Sequence, residues 1–423
     1  MIVYDPLYGA FELPSNLTDL VQTPEVRRLS QIRLLNTVTP SLATLGEIRR
    51  FSHTLGVLFL VLKNGLLESE PRLRSALGAA VLLHDIGTPP FAHLFEYHLK
   101  ERTGWNHENV IKAILYGQHV PEGRANQFFA RSVPKFRKAL AKSGIDANLV
   151  EQIVADAHPL SPLLFGTLDF DNLDNVARMG WALGHPESRS FTNAIAEQLS
   201  VDNGEVGLPR SLQAAVESWA AARRACYDVI VFDPPTVAAQ AVLSVALEQV
   251  LAEGGLTEFD WVLTDEQLIE CLLESPRTKT MISTQYLGRL PQHVYSVQIS
   301  SAVSRIAGRG RAELRALIED SLSQFFGSTC LGYVFQDRGT FGKELTFVDP
   351  TGGQRWSVGT RSQSTVLYGF VRRSGRLTTD DCSRALEALL MHLGVSAEGI
   401  LRTEIGVGRK TPNAQESLNL AAS

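Results

Sequence analysis

Residues 82–96 read "LLHDIGTPPFAHLFE", and the fold turns on what this stretch is. An apolar run reaches an adjacent His84–Asp85 pair, passes a Gly-Thr-Pro-Pro turn, and continues to His93 and Glu96. Neighbouring residues on a helix point about 100° apart, so His84 and Asp85 can serve one ion together only at a helix end. Gly87 and Pro89 set such an end there. Imidazole and carboxylate side by side suit a divalent cation such as Mn, Fe, Co, Zn or Mg. His53 upstream and an aspartate within "LDFDNLDNVARM" (168–179) offer the same donor types. His93 and Glu96, at i and i+3, share one face of a helix. A carboxylate holding a histidine in one tautomer makes it a usable proton donor.

The pattern around this stretch is helical. "LTDLVQTPEVRRLSQIRLL" carries apolar residues at helical spacing, with Pro24 dividing it into two helices. "FSHTLGVLFLVLKNGLL" and "PRLRSALGAAVLLHDIG" are apolar enough to be buried helices. Helical patterns run to about residue 275, including a long one over "TVAAQAVLSVALEQVLAEGG" stopped by Gly254–Gly255. Residues 1–15 read as strand and turn. Beyond 285 the texture alternates: "QHVYSVQISSAV", "LGYVFQ", "ELTFVDPTGGQRWSV" and "STVLYGFVRR" read as strands, with helices over 311–326 and 378–394. The expected architecture is mostly α, a helical body over 1–285 with its core at about 27–185. A smaller α+β lobe over 286–405 and a polar, fraying tail over 406–423 follow.

The chain has 423 residues, 44% hydrophobic and 20% charged, enough for a large core. Its net charge of −5 argues against nucleic acid as a partner. The four cysteines form no CxxC pair, which excludes a zinc knuckle or a disulfide framework and fits a reducing compartment. No apolar run of roughly 18 to 20 residues is read as spanning a bilayer, and the start lacks the pattern of a signal peptide. The expectation is a cytoplasmic protein with no membrane partner.

The order His…His-Asp…Asp resembles the signature of the HD-domain phosphohydrolases. "YDPLYGAFELP", "LVQTPEVRRLSQIRLL", "RRFSHTLGV", "LLHDIGTPPFAHLFE", "WNHEN" and "LDFDNLDNVARM" occur in the order and approximate spacing of the deoxynucleoside triphosphate triphosphohydrolases. The resemblance runs from residue 2 to about 180, and more weakly to about 295. It implies an HD-domain helical core and metal ligation by His53, His84, Asp85 and Asp171. It implies phosphate contact by Arg50, and proton transfer or charge stabilisation by His93 and His107 with Glu96 beside them. The reaction it implies is attack of water at the α-phosphorus, releasing nucleoside and triphosphate. One divalent metal ion is expected, with room for a second Mg carried by substrate phosphates. A nucleotide effector and a homo-oligomer are expected by the same likeness. Asp169 and Asp174, flanking Asp171, are read as caps or solvated carboxylates, and His98, His119, His158, His185, His293 and His392 as structural or exposed.

Five positions depart from the family or carry its substrate contacts in altered form. Thr88 stands where many relatives have histidine; its hydroxyl can bond a phosphate oxygen but cannot carry a proton near neutral pH. Pro89 replaces a glycine and stiffens the turn. Asn172 replaces a basic residue that meets phosphate, Asn175 a tyrosine that lines the sugar, and Met179 an aspartate that reads the sugar hydroxyl. Each lost charge-assisted contact is worth about 1.5–3 kcal/mol. Full ligand set and rewritten sugar side together favour an altered substrate. A phosphatase or phosphodiesterase acting on a modified nucleotide or other phosphate ester stays open, as does a non-catalytic nucleotide sensor.

Overall fold

The computed structural model describes residues 1–36, 39–116, 135–301, 306, 308–327 and 329–406. The chain opens with a hairpin, β1 (Ile2–Asp5) and β2 (Gly9–Glu12), closed at Gly9 with φ +82°. Two short helices follow, α1 (Ser15–Val21) and α2 (Pro24–Arg28), divided at Pro24 as expected. After α3 (Ala43–Gly46) comes α4 (Arg50–Lys63), whose stretch from His53 to Val61 is buried throughout. α5 (Gly65–Glu68) leads to α6 (Pro71–His84), buried from Ala76 to Leu83. The helical body continues with α7 (His93–Thr103), α8 (His107–Tyr116), α9 (Lys135–Ser143), α10 (Ala147–Val154) and α11 (Pro162–Phe165). α12 (Phe170–Ala182) and α13 (Ser188–Gln198) pack against α4, placing α4 between α6 and α12.

Helix does not continue unbroken to 275: "SVDNGEVG" forms β3 (Ser200–Asp202) and β4 (Glu205–Gly207). Asn203 and Gly204, at φ +50° and +81°, make the two-residue turn that such a hairpin favours. Next come α14 (Gln213–Val231), α15 (Pro234–Ala252), α16 (Asp265–Glu274) and α17 (Pro276–Tyr286). α15 starts under an Asp233 cap and is 19 residues long with a mean hydropathy of 1.3. By length and composition it could cross a bilayer, contrary to the expectation that no run reaches that size. It is 67% buried inside the fold and serves as a core helix.

The change of texture falls between α17 and β5 (Gln292–Ser300). α18 (Arg311–Phe326), β6 (Cys330–Gly342), β7 (Leu345–Val348), β8 (Arg355–Val358), β9 (Ser362–Val371) and α19 (Thr379–Leu393) complete the expected α+β elements. One more strand, β10 (Ile400–Ile405), was not anticipated; it pairs antiparallel with β5. The sheet order is β10-β5-β9-β6. A second sheet, β3-β4-β7-β8, joins the two halves through a parallel contact of Gly207 with Val348. Phe347 and Trp356 of the β7–β8 hairpin enter the core of the helical body, and the Trp356 Nε1 donates to Leu208 O at 3.0 Å. A mixed cluster of α15 with β6 and β9 adds Val242, Leu331 and Phe370 to the junction. The fold is thus mostly α, a helical body with an α+β C-terminal part. The tail from 407 onward and His119 lie outside the described residues.

Candidate metal centre and cavity

α4, α6 and α12 each carry donors to one point. His84 is the last helical residue of α6 and Asp85 its cap, so the chain end lets both side chains turn the same way. Asp171 sits in the first turn of α12, behind the Asp169 cap. His53 Nε2, His84 Nε2 and Asp171 Oδ1 cluster: His53 lies 2.7 Å and His84 3.4 Å from Asp171. Asp85 Oδ2 is 3.6 Å from His84 Nε2 and 3.9 Å from His53 Nε2.

The donor set fits a divalent cation. His84 Nδ1 bonds Val81 O at 2.6 Å, which fixes its proton there and leaves the Nε2 lone pair to the cluster. That Nε2 is buried with no hydrogen-bond partner, the state of an atom meant to ligate. Burial opposes a charge on His53, yet bonds to Asp171 and Asp174 lift its pKa to about 10. Burial likewise acts against the Asp171 charge, but the hydrogen bond of His53 and the nearby His84 ring hold it well below the usual carboxylate range. The pocket is therefore organised for positive charge between its carboxylates.

Asp174 is not the solvated carboxylate or cap that the sequence suggested. It is 0% exposed and its Oδ2 lies 2.7 Å from His53 Nδ1, orienting the ring from behind. Arg178 grips both oxygens of Asp174, Nε at 3.0 Å and Nη2 at 2.9 Å, and reaches Asp5 at 3.0 Å. The i, i+3 spacing of Asp171 and Asp174 was the available signal: both face α4. Asp169 does act as a cap, accepting from Asn172 N at 2.7 Å.

The other sequence candidates divide in two. Arg50, His93, Asn175 and Met179 line a cavity of about 410 Å³ together with His53, Asp85 and Asp171. Arg50 directs Nη1 to Asp85, 2.8 and 2.9 Å from its two oxygens. Glu96 bridges two histidines, 2.9 Å from His93 Nδ1 and 2.6 Å from His107 Nδ1. Burial works against its charge, but the bonds to His107 and His93 hold its pKa well below the ordinary range. Thr88 and Asn172, by contrast, do not line the cavity. The Thr88 hydroxyl donates to Asp85 at 3.0 Å, and the Asn172 amide to Asp169 at 2.8 Å. Both side chains are thus engaged in bonds to neighbouring carboxylates.

The turn between Asp85 and His93 is held from outside. Arg28, buried against Trp261, donates to Thr88 O, while Asp265 accepts from Phe91 N at 2.9 Å. Phe91 and Ala92 are at φ +52° and +47°, a costly conformation for residues with side chains. Ala92 in this state caps α7 and sets the direction in which His93 leaves the helix. Tyr227, Gln240, Tyr333 and Tyr368 also line the cavity and escaped the sequence reading.

No protein-family model matches the chain. Bacillus subtilis YwfO, an uncharacterised protein, is 26% identical over 293 residues, covering 63% of this chain and 64% of that one. The human deoxynucleoside triphosphate triphosphohydrolase is 31% identical over 134 residues, 28% of this chain and 20% of its own. The chain therefore spans less than two-thirds of either relative. A phosphohydrolase structure from Bacteroides thetaiotaomicron matches with a TM-score of 0.63 and 17% identity, over 88% of this chain and 100% of that one. The chain thus shares the fold of that phosphohydrolase structure, and His53, His84 and Asp171 form a group in it that could hold a metal ion. In sequence it resembles the HD-domain deoxynucleoside triphosphate triphosphohydrolases.

Proposed function

We propose that this protein is a metal-dependent phosphohydrolase that acts on a nucleotide, by triphosphohydrolase chemistry with altered substrate recognition. The observation that carries the reading is the convergence of His53, His84 and Asp171 from three helices at the end of a cavity that also holds Arg50 and His93. His53, His84, Asp85 and Asp171 would hold the cation. When bound there, such an ion would supply Lewis acidity toward a phosphoryl oxygen and toward a water. Asp174 fixes the His53 ring, and His84 is fixed by Val81 O. Arg50 keeps Asp85 ionised and places positive charge beside the phosphate. His93, exposed at the mouth and tied to Glu96, protonates the leaving oxygen; His107, on the same carboxylate, steadies the developing charge. Incubation with Mn²⁺, Mg²⁺ or Co²⁺ and a nucleotide panel, resolved by chromatography, tests this. Nucleoside plus tripolyphosphate is the expected product pair; no turnover of any phosphate ester with any metal refutes the reading.

A second reading, a phosphatase or phosphodiesterase, is favoured by one observation. Buried Met179 lies in the cavity wall where the family has an acceptor for the sugar hydroxyl. Release of orthophosphate from a monoester, or of a phosphomonoester and an alcohol from a diester, with no tripolyphosphate, would select it.

A further inference from the structure

A second cavity, of about 290 Å³, opens where α7 and α15 of the helical body meet α18 and β6 of the C-terminal part. It borders the metal cavity, since Tyr97 and Arg311 line both, but it contains none of the proposed metal ligands. Three guanidiniums dominate its polar lining: Arg102 in the last turn of α7, and Arg311 and Arg315 one turn apart at the start of α18. Arg315 Nη1 meets Glu248 Oε1 at 2.5 Å, so that carboxylate is already offset. Arg102 reaches only a backbone carbonyl, Ala252 O at 3.4 Å. Arg311 lies over the Tyr97 ring at 5.0 Å and has no ion-pair partner among the described residues. The other acid of the lining, Glu101, is exposed. The balance inside is therefore positive. His98, also in the lining, is 4% exposed. Its Nε2 bonds Ser244 Oγ at 2.8 Å, while Nδ1 stands 3.7 Å from Glu248, beyond hydrogen-bond reach, and is not sealed in protein. Burial lowers its pKa to about 4, so the ring is neutral at pH 7; with Ser244 donating to Nε2, it carries an N–H at Nδ1.

We propose that this second cavity binds a compact phosphate anion, a phosphate group or a short phosphate chain, through Arg102, Arg311 and Arg315. Guanidiniums are fixed forks of donors matched to phosphate oxygens. Here they arrive from two helices, so their N–H groups diverge, and a tetrahedral anion offers oxygens in those directions where a planar carboxylate does not. The first amides of α18 have no side-chain cap and add donors of the same sign beside Arg311. Leu94, Leu251 and Val334 supply apolar wall, which strengthens the charge interactions. The volume falls just below the range of about 300–1,000 Å³ typical of larger organic ligands, so the occupant is the anion itself rather than a whole nucleotide. Once bound, it would join α7 and α15 to α18 across the junction of the two parts of the chain. Neither metal nor turnover enters this inference, so it stands or falls apart from the phosphohydrolase reading.

Calorimetric titration of the full, metal-free chain with pyrophosphate tests this, with malonate as a planar dicarboxylate of similar size. Pyrophosphate should bind at one site, and malonate about tenfold more weakly or worse. Arg315→Gln should weaken pyrophosphate about 10- to 100-fold, the factor of one charge-assisted contact. Arg102→Gln, at the exposed rim, should weaken it about 2- to 5-fold. Glu101→Gln should tighten it by a similar factor, because a like charge is removed; a purely structural role for these side chains would give no such gain. Arg50→Gln, which alters the metal cavity alone, should leave it unchanged. No binding by the unaltered chain, malonate binding as tightly as pyrophosphate, or an affinity that ignores Arg102 and Glu101 overturns the proposal. Loss of binding on Arg50→Gln would place the anion in the metal cavity and overturn it equally. Should Arg315→Gln melt out, the two rim substitutions decide the matter.

Discussion

Asp174→Asn tests whether the metal centre depends on its support as well as its ligands. Asp174 is 0% exposed and receives His53 Nδ1 at 2.7 Å and Arg178 at 2.9 and 3.0 Å. Asparagine keeps the volume but has one acceptor oxygen and a donor nitrogen. If the oxygen stays on His53, the new N–H₂ faces the Arg178 guanidinium; if it turns, His53 loses its orienting partner. Loss of such an outer contact lowers metal affinity by about 10- to 100-fold. The Arg178 charge keeps Asp5 at 3.0 Å, so the stability loss should lie at or below the ~3–5 kcal/mol of a broken buried pair. Mn²⁺ or Co²⁺ titration, read by calorimetry and by bound metal after gel filtration, measures the first; urea unfolding of the metal-free protein measures the second. Asp171→Ala, which removes a ligand outright, supplies the lower limit of affinity. An Asp174→Asn chain that binds Mn²⁺ as tightly as the unaltered one would show that the His53–Asp174 contact does no work for the centre.

Three further perturbations follow from the same geometry. Gly56→Ala should destabilise the fold by about 1–3 kcal/mol in urea unfolding, although alanine favours helices, because a Cβ there overlaps the Asp174 carboxylate and the Arg178 guanidinium. Glu96 has its pKa held below the ordinary range, so its stabilisation is present above the unfolded value near 4.3 and is lost as pH falls through the folded one. Glu96→Gln should therefore cost stability at pH 7, with the gap to the unaltered chain closing as acid is added; a gap of constant size would refute the assignment. Trp356→Ala should cost about 3–5 kcal/mol, since a buried indole tilted against Phe347 with ring centroids 4.6 Å apart and bonded to Leu208 O leaves a void in the helical core.

The parts of this molecule that local pattern can encode were legible in the sequence. α4 and α6 announce themselves by apolar periodicity, and Gly87 and Pro89 mark the helix end that lets His84 and Asp85 cooperate. The hairpin at 200–207 was missed although Asn203–Gly204 is a strong turn signal, because its strands are three residues each and sit between helices. Thr88 offers a hydroxyl that can bond a phosphate oxygen, and Asn172 stands where the family meets phosphate with a basic residue. Nothing local shows that Asp85 and Asp169 take up their bonds instead. Asp174 resembles any acidic residue on a helix surface until α4 is laid against it. Gln240 and Tyr333 stand 93 residues apart, and their meeting is a property of tertiary packing alone.

The parallel contact of Gly207 with Val348 bears on how the chain is made. All four proposed metal ligands have been synthesised by residue 171, yet the wall that closes their cavity waits for residues 333–368. Until then the core that takes in Phe347 and Trp356 lacks those two rings, and the β3–β4 hairpin has an unpaired edge. Contacts so distant in sequence form late and slowly. A nascent or truncated chain would thus own the ligands before it owned the enclosure, which arrives only with the last third of the polypeptide.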